Sequence, residues 1–402
     1  MRDAPASMTV SSKVAIIGAG PYGLSIAAHL RARGIEFRIF GSPMHSWRTR
    51  MPTGMFLKSE GFASNLYDPA GRFTLKRFCA ENGLPYAAID VPMPLETFTA
   101  YGLAFQRQLV PNVEDSAVVA LDRSPDGFLL RLDHGEMVSV RHVVIAVGIA
   151  YFPHVPAGLA HLPPDTFSHT SDHHDLSRFK GYDVTAIGGG ASALDVLVSL
   201  HEVGAEVRLI ARQSSLRFNI PRPHRWWRQW YPTSGLGGLF RNQFYEHGPM
   251  LFRHLPQGLR RSIVRTALGP AGGFLVKDRV ERVPLLLGHT VRYAQFRDGR
   301  VHLRLLSPNG EERTLSTDHV IAGTGYRVDL RRLTFLSKEL HCQLRSVDFV
   351  PVLSAEFQSS VPGLYFVGLA AANTFGPAMR FLLGARYTAR RLAKHLSRPS
   401  SR

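Results

Sequence analysis

The chain has 402 residues and is 45% hydrophobic, so it is long enough for two domains with sizeable cores. Its 48 lysine and arginine residues outnumber 31 acidic ones and give a formal net charge of +17. Two cysteines, Cys79 and Cys342, cannot build a disulfide framework, and no apolar run approaches the ~18 residues of a membrane span. Residues 1–12 carry no apolar segment, so we expect a cytoplasmic protein without a signal peptide.

The first unit of the chain has the order strand, glycine turn and helix. A β-branched run at 14–17 precedes the turn Gly18-Ala-Gly-Pro-Tyr-Gly23, and an apolar-periodic run at 24–30 follows it. This order is typical of a dinucleotide site, because glycines let the backbone approach a pyrophosphate at the helix N-terminus. The pattern predicts a helix to about Arg33 that ends at Gly34, and then a strand at 35–40.

The rest of the first unit alternates loops, helices and strands. The Pro- and Gly-rich residues 41–65 predict an extended loop, followed by helices at 73–81 and 95–109. Alternating runs at 118–121 and 128–132 predict a hairpin, and the apolar run 143–147 predicts a buried strand that ends at Gly148.

The second unit repeats the first after a proline-rich crossing between residues 153 and 164. A strand is predicted at 184–187, followed by the turn Gly188-Gly-Gly-Ala-Ser-Ala193 and a helix to about Val203. Gly204 ends this helix, and the next strand, at 207–210, leads to Arg212. Two glycine turns in one chain predict two dinucleotides held close together.

The remaining elements follow an aromatic, basic and Gly/Pro-rich insertion at about 214–285. Between residues 212 and 282 the chain carries 13 lysine or arginine residues against three acidic ones. A hairpin is predicted at 291–296 and 301–306, and the strand 320–325 mirrors 143–148. A last strand at 363–367 and a helix at about 378–396 complete the pattern.

The residue that ends the second strand of each unit indicates which cofactor that unit binds. The acidic residue expected to hold a ribose hydroxyl is absent from the first unit, where Gly41 and Ser42 stand. Either Ser42 or backbone then serves the ribose, or the adenosine end lies differently. In the second unit Arg212, with Ser214 and Ser215, matches a phosphate, which favours NADPH over NADH. The alternative is that Arg212 is one more solvated cation of a basic region.

Nearly the whole chain resembles the flavin-dependent monooxygenases of the two-dinucleotide-domain type. These include microsomal-type flavin monooxygenases, Baeyer–Villiger enzymes and ornithine/lysine N-hydroxylases. The match runs from Val14-Ala-Ile-Ile-Gly-Ala-Gly-Pro21 to Leu364-Tyr-Phe-Val-Gly-Leu369 and includes Ala322-Gly-Thr-Gly-Tyr326. Ala146-Val-Gly148 resembles the family's other strand closure, and Trp47 with Gly54-Met-Phe-Leu-Lys58 resembles the flavin-facing loop of the N-hydroxylases.

One family motif is only partly present. The fingerprint Phe-x-Gly-x-x-x-His corresponds to Phe167 and His173, but His169 replaces its glycine. His169-Thr-Ser171 instead resembles the His-Ser-Ser stretch of N-hydroxylases. These residues are therefore either part of the oxygen chemistry or only the linker between domains.

The resemblance implies an α/β fold with two Rossmann-like domains, the NADPH-binding domain inserted into the FAD-binding domain. The FAD-binding domain is expected at 12–158 and 326–402, and the NADPH-binding domain at 159–325 with the insertion at about 214–285. The resemblance further implies an NADPH- and O₂-dependent FAD monooxygenase that acts through a peroxyflavin on a soft nucleophile, with amine nitrogen favoured and sulfur next.

The expected site residues follow from these motifs. The expected FAD contacts are Gly18, Gly20, Pro21, Tyr22, Gly23, Ser42, Trp47, Met55, Lys58, Gly148, Gly325, Gly368, Phe375 and Gly376. The expected NADPH contacts are Gly188, Gly189, Gly190, Ala191, Ser192, Ala193, Arg212 and Ser214. No catalytic residue is certain, but the candidates are His169, Ser171 and His173. We expect no metal site.

Two other functions remain open at this point. The first is an NADPH-dependent flavoprotein reductase without oxygen transfer, which the missing Cys-x-x-Cys pair disfavours. The second is a non-catalytic flavoprotein that binds an anionic surface through the basic insertion and its Trp226, Trp227 and Trp230. We expect a small-molecule substrate and O₂ as partners, with no specific nucleic acid. Substrate identity, peripheral membrane contact and oligomeric state are left open.

Overall fold

The computed structural model of the chain describes residues 12–220, 248–267 and 269–398. Trp226, Trp227 and Trp230 therefore lie outside the described residues. The strands are β1 (Ser12–Ile17), β2 (Phe37–Phe40), β3 (Val113–Glu114), β4 (Val118–Ser124), β5 (Gly127–Leu132), β6 (Met137–Ile145), β7 (Phe167–His169), β8 (Asp183–Ile187), β9 (Glu206–Ala211), β10 (Phe218–Asn219), β11 (Gly272–Gly273), β12 (Leu285–Leu287), β13 (Thr290–Arg297), β14 (Arg300–Leu306), β15 (Glu312–Thr317), β16 (His319–Ala322), β17 (Ser346–Val347), β18 (Val350–Pro351) and β19 (Leu364–Phe366). The helices are α1 (Pro21–Arg31), α2 (His45–Thr49), α3 (Leu75–Glu81), α4 (Leu95–Leu109), α5 (Ala191–Glu202), α6 (Pro249–Arg253), α7 (Gln257–Thr266), α8 (Lys277–Val280), α9 (Lys338–Gln343), α10 (Ala372–Phe375) and α11 (Gly384–Leu396).

The first sheet has seven strands in the order β3-β2-β1-β6-β5-β4, with β19 also paired to β6. The strands β3, β2, β1, β6 and β19 run parallel, whereas β4 and β5 add an antiparallel hairpin. The nine-residue β6 is long enough to pair with β5 along its first half and with β19 along its second half. Apolar runs buried on both faces, such as Val14–Ile17, are typical of parallel strands.

The second sheet is parallel and has the order β12-β9-β8-β16-β7. All its strands come from the chain between β6 and β19, so this unit is inserted into the first. A three-stranded antiparallel sheet, β13-β14-β15, belongs to the same stretch. The fold is therefore α/β with two Rossmann-like units, as the sequence predicts.

Several element boundaries differ from the sequence prediction. The loop predicted at 41–65 contains α2 and a 3₁₀ turn at Gly61–Ala63. The helix predicted from about 378 begins at Gly384, because Pro377–Arg380 forms a separate 3₁₀ turn and Phe381 is extended. The strands β7 and β15 were not predicted, since β7 has three residues and β15 is mostly polar.

The buried side chains of the two units form separate clusters. One cluster joins the first sheet to the chain after residue 330, and two others cover the faces of the second sheet. The two crossings between the units lie side by side, because Pro153 and Tyr326 form an antiparallel bridge. His154 N donates to Gly325 O at 2.8 Å, and Arg327 N donates to Phe152 O at 2.9 Å. The units are thus joined by a paired, two-chain connection.

Candidate functional site

The first glycine turn has a different spatial role for each of its three glycines. Gly18 has a φ of +114°, and a Cβ there would lie 2.5 Å from Ala146 O. A Cβ at Gly23 would lie 1.9 Å from Gly18 O, so helix and strand can pack closely only with glycine. A Cβ at Gly20 would meet open space, and Gly20 is the N-cap residue of α1. This leaves an accessible helix N-terminus, with Pro21 at the first helical position, where a pyrophosphate fits.

Tyr22 connects this turn to the C-terminal segment. Its hydroxyl lies 3.0 Å from Met379 O and 2.9 Å from Phe381 O, and burial raises its pKa well above the usual value. The ring packs against Gly368, and a Cβ at Gly384 would lie 2.4 Å from the hydroxyl oxygen. Tyr22 therefore fixes the start of α11 against the glycine turn.

The end of β2 brings together groups that the sequence does not place side by side. Gly41 has a φ of +118° and its N–H donates to Glu114 O at 2.9 Å. Ser42 Oγ donates to Asp115 Oδ2 at 3.3 Å. The sequence has no acidic residue directly after β2, but Asp115 follows the neighbouring strand β3 and lies beside Ser42. Glu114 itself is held by Arg38, whose Nε and Nη2 lie 2.7 and 2.5 Å from its carboxylate oxygens. Sequence reasoning missed Asp115 because β3 has only two residues and gives no strand signal.

The flavin-facing loop predicted around Trp47 and Lys58 reaches the second unit. Trp47 packs edge-on against Phe98 with ring centroids 4.6 Å apart. Met55 O accepts a hydrogen bond from Leu95 N at 2.9 Å, which ties the loop to the start of α4. Lys58 Nζ lies 3.1 Å from Asp195 Oδ2 on α5, so this expected flavin contact is paired across the two units. Sequence reasoning had no signal for this ion pair.

The Lys58–Asp195 pair is largely removed from solvent, with side-chain exposures of 26% and 10%. Burial lowers the pKa of Lys58 and raises the pKa of Asp195, and the attraction between the two charges opposes both shifts. The pair therefore joins the flavin-facing loop to α5 at a place that water reaches only in part.

The second glycine turn is built differently from the first. Gly188 has a φ of +137°, and a Cβ there would lie 2.3 Å from Gly323 O. Ala193 takes the third glycine position, and it packs against the backbone of Gly323. Gln213 Nε2 donates to Gly189 O at 3.1 Å, and Gly190 caps α5, whose first turn contains Ala191 and Ser192.

A cavity of about 550 Å³ opens beside this turn at the end of β9. Arg212 and Ser214 both line it, and so do Gln213, Ser215 and Arg217. Two guanidinium groups and two hydroxyls in one cavity fit a phosphate group. Arg217 was missed, although it continues the basic run that begins at Arg212.

The candidate catalytic residues separate into two groups. His169 Nδ1 accepts from Ser171 N at 3.1 Å, so its Nε2–H donates to Gly325 O at 3.2 Å. Ser171 Oγ lies 2.8 Å from the same Nδ1, and the ring of Tyr326 packs edge-on against His169 at 5.3 Å. Burial lowers the pKa of His169, which therefore stays neutral at the junction of the two crossings.

His173 lies in a different environment, inside the second unit. Its Nε2 is 2.7 Å from Ser168 Oγ, which is also 2.8 Å from His319 Nε2. All three residues are buried, and burial lowers the pKa of each imidazole to about 4. This arrangement favours a packing role for His173.

Three of the remaining expected contacts follow the ends of strands, and two lie at the end of α10. Gly148, Gly325 and Gly368 all have positive φ, and a side chain at Gly148 or Gly325 would meet open space. Phe375 stacks on Phe357 with centroids 4.1 Å apart, and Gly376 lies against the ring of Phe252.

Residues 15–234 match the family model described as pyridine nucleotide-disulphide oxidoreductase. The chain belongs to this family. Among curated relatives, it is 30% identical over 214 residues to indole-3-pyruvate monooxygenase from Oryza sativa, covering 50% of this chain and 47% of the relative. It is 24% identical over 261 residues to ferredoxin–NADP reductase from Gluconobacter oxydans, covering 64% of this chain and 62% of the relative. The chain thus spans about half to three fifths of these relatives.

Solved structures share the fold over almost the whole chain. The ornithine N-hydroxylase of Kutzneria sp. 744 has a TM-score of 0.76 at 19% identity, covering 96% of this chain and 98% of that one. A flavin monooxygenase from Stenotrophomonas maltophilia has a TM-score of 0.64 at 20% identity, with the same two coverages. The bacillithiol disulfide reductase of Staphylococcus aureus has a TM-score of 0.63 at 18% identity, covering 96% and 97%. The similarity to two-dinucleotide-domain flavin monooxygenases is thereby confirmed at the level of the fold.

The disulphide chemistry in the family's name is not supported by the cysteines of this chain. Cys79 is buried in the first core and Cys342 is exposed on α9, and both are free thiols. Neither belongs to a Cys-x-x-Cys pair.

Among the described residues, no helix is long and apolar enough to cross a membrane.

Proposed function

We propose that this protein is an NADPH- and O₂-dependent FAD monooxygenase. The observation that carries the proposal is the pair of unlike glycine turns, one at an open helix N-terminus and one beside the cavity that Arg212 and Arg217 line. The monooxygenase among the relatives and the N-hydroxylases among the similar folds support it. When bound, the flavin supplies the redox and oxygen chemistry, and the protein binds, orients and excludes water.

The FAD-binding domain in this proposal consists of residues 12–158 and 326–402. The pyrophosphate is bound at Gly18–Gly23, and the adenosine ribose is held by Ser42 and Asp115, whose side chains are hydrogen-bonded at the end of β2. Gly148, Gly325 and Gly368 allow close approach of the ring system, because they carry no side chain where parallel strands end. Phe375 and Gly376 complete this surface.

The NADPH-binding domain in this proposal is 159–325, with the basic insertion at about 214–285. The turn at 188–193 holds the pyrophosphate, while Arg212 and Ser214, helped by Arg217, hold the ribose phosphate. His169 and Ser171 hold the crossings in register, since His169 donates to Gly325 O. The oxygen acceptor is a soft nucleophile, with amine nitrogen favoured and sulfur next.

The test is a coupling measurement on the purified flavin-loaded protein. NADPH oxidation is followed with amines, thioethers and ketones under ¹⁸O₂, with hydrogen peroxide and ¹⁸O in the product both quantified. One ¹⁸O atom in the product for each NADPH consumed supports the proposal. NADPH consumption that releases only peroxide with every acceptor class would contradict it.

A flavoprotein reductase is the second candidate, because ferredoxin–NADP reductases are among the relatives. It predicts rapid anaerobic reduction of ferredoxin or a quinone by NADPH. This anaerobic rate is compared with the rate of oxygen-dependent NADPH oxidation at the same pH, temperature and NADPH concentration. The faster reaction decides between the two activities.

A further inference from the structure

A second cavity, of about 370 Å³, is lined by no residue of either glycine turn. It is bounded by α6 and α7 on one side, by the β17–β18 hairpin on the other, and by α10 at its end. Its volume is in the range of sites that bind small organic molecules. We call it the basic cavity, because Arg253, Arg260 and Arg261 all line it.

Among the residues that the structure describes, only one of the three arginines of the basic cavity has an ion-pair partner. Arg261 is paired with Asp348. Arg260 Nε is buried and has no hydrogen-bond partner in the part of the chain that the structure describes. Burial, and then the neighbouring charge of Arg253, lower the pKa of Arg260. Two like charges beside a buried unsatisfied donor are unfavourable, and an anion bound between them would relieve both effects.

The opposite wall of the basic cavity is apolar. Val350, Val352 and their neighbours in the hairpin form this wall. A planar guanidinium matches a carboxylate through two parallel hydrogen bonds, and aliphatic side chains suit an apolar body. The two walls together fit a small organic acid with one charged end better than a free phosphate.

The basic cavity is held firmly against the segment that we propose to contact the flavin. Asn373 and Thr374 line its end and directly precede Phe375 and Gly376. The ring of the fully buried Phe252, on α6, packs on Gly376. Arg380 Nη1 donates to Val264 O at 3.0 Å and to Ala267 O at 2.8 Å, which anchors the end of α7.

We propose that the basic cavity binds the carboxylate of a small acid with an apolar body, held by Arg253 and Arg260, and that an acid of this class carrying an amine nitrogen or a thioether sulfur is the substrate. The assignment as substrate rests on the proposed function, whereas the binding of a carboxylate does not. Arg260 and Arg253 are then binding and specificity residues, and the apolar body of the acid lies against the wall that contains Val350 and Val352.

The test measures binding to the FAD-loaded protein by isothermal titration calorimetry. Benzoate, phenylacetate and the thioether acid (phenylthio)acetate are compared with phenylacetamide, the uncharged analogue of phenylacetate, and with inorganic phosphate. We expect at least one aryl acid to bind, with the amide at least tenfold weaker. Arg260→Gln and Arg253→Gln should each weaken binding of the acid tenfold or more. Arg265→Gln, an exposed arginine on α7 that does not line the cavity, is the matched control and should bind like the wild type.

Several results would overturn the inference. These are no binding of any aryl acid at millimolar concentration, equal binding of acid and amide, tighter binding of phosphate, or full affinity in both Arg260→Gln and Arg253→Gln. Flavin content and thermal midpoint check that the variants are folded. Parallel NADPH oxidation assays with (phenylthio)acetate separate the two proposals: binding without oxygenation of its sulfur supports the cavity and contradicts its role as substrate site. Oxygenation of an acid at the full rate in both Arg260→Gln and Arg253→Gln would support the proposed monooxygenase and contradict the cavity as its substrate site.

Discussion

The two glycine turns have the same strand–turn–helix order but differ in how far side chains cover them. In the first turn, Gly23 packs on Gly18 within the turn itself, and the helix N-terminus at Gly20 is open. In the second, Ala193 packs on Gly323 of another strand, and Gln213 covers Gly189. Both turns pack their first glycine against the end of a neighbouring strand, Gly18 on Ala146 O and Gly188 on Gly323 O, so the difference that remains is the Gln213 side chain over the second turn. Under the proposed function, we expect a permanently bound dinucleotide in the first unit and an exchanging one in the second.

The largest effect should come from adding one methyl group to the first turn. Gly23→Ala places a Cβ 1.9 Å from the backbone oxygen of Gly18. We therefore expect the free energy of unfolding to fall by ~1–3 kcal/mol and the protein to lose its bound flavin. Ala193→Gly, the mirror change in the second turn, should cost only ~0.5–1 kcal/mol. Denaturant unfolding and flavin absorbance measure both. Similar losses in the two variants would show that the turns are equivalent.

Gly20→Ala sharpens the same comparison within the first turn. Its Cβ would enter open space and its φ of −85° is ordinary, so the apoprotein should keep its stability. FAD affinity should fall, because the methyl group occupies the place proposed for the pyrophosphate. Unchanged affinity, measured by flavin fluorescence during titration of the apoprotein, would argue against FAD at this turn.

The ion pair between the units should give the next largest effect. Lys58→Met leaves Asp195 buried without its partner. We therefore expect the free energy of unfolding to fall by ~1–3 kcal/mol, an effect limited by the partial exposure of Lys58. The double variant Lys58→Met/Asp195→Leu should recover most of this loss. Glu81→Gln, which breaks the exposed pair with Arg77, is the control and should cost about 0.5 kcal/mol or less. Urea unfolding measures all three, and additive losses in the double variant would mean that the pair is not coupled.

Arg212→Ala should separate the two nicotinamide cofactors. Loss of a charge-assisted contact to phosphate predicts a KM for NADPH raised about 10–100-fold, with little change for NADH. Steady-state kinetics with both cofactors measures the effect, and Arg282→Ala, beyond the cavity-lining residues, serves as the control. An equal rise for both cofactors would remove the phosphate role of Arg212.

The smallest effect is expected at the ribose end of the first turn. Asp115→Asn removes the carboxylate beside Ser42, so the FAD dissociation constant should rise about 3- to 10-fold. Asp122→Asn, an exposed acid on β4, should leave it unchanged. Identical dissociation constants for wild type and Asp115→Asn would mean that backbone or Ser42 alone serves the ribose.

The sequence predicts what depends on local pattern and misses what depends on neighbours. The glycine turns, α4 and the positions of the longer parallel strands follow from periodicity and glycine spacing, whereas the order of the strands in each sheet was not predicted. Asp115 could not be found, because its neighbour Ser42 is brought to it by pairing of β2 with a two-residue strand. The Lys58–Asp195 pair and the basic cavity join segments far apart in sequence, so no local pattern indicates them.

The double pairing of β6 has a consequence for how the chain folds during synthesis. β19 joins β6 through Leu364 and Val143, so this contact closes a loop of about 220 residues. The inserted unit leaves the ribosome complete while the first sheet still lacks this strand. We therefore expect the inserted unit to gain protease resistance first on the growing chain, and the unit that begins the sequence to be the last to finish folding.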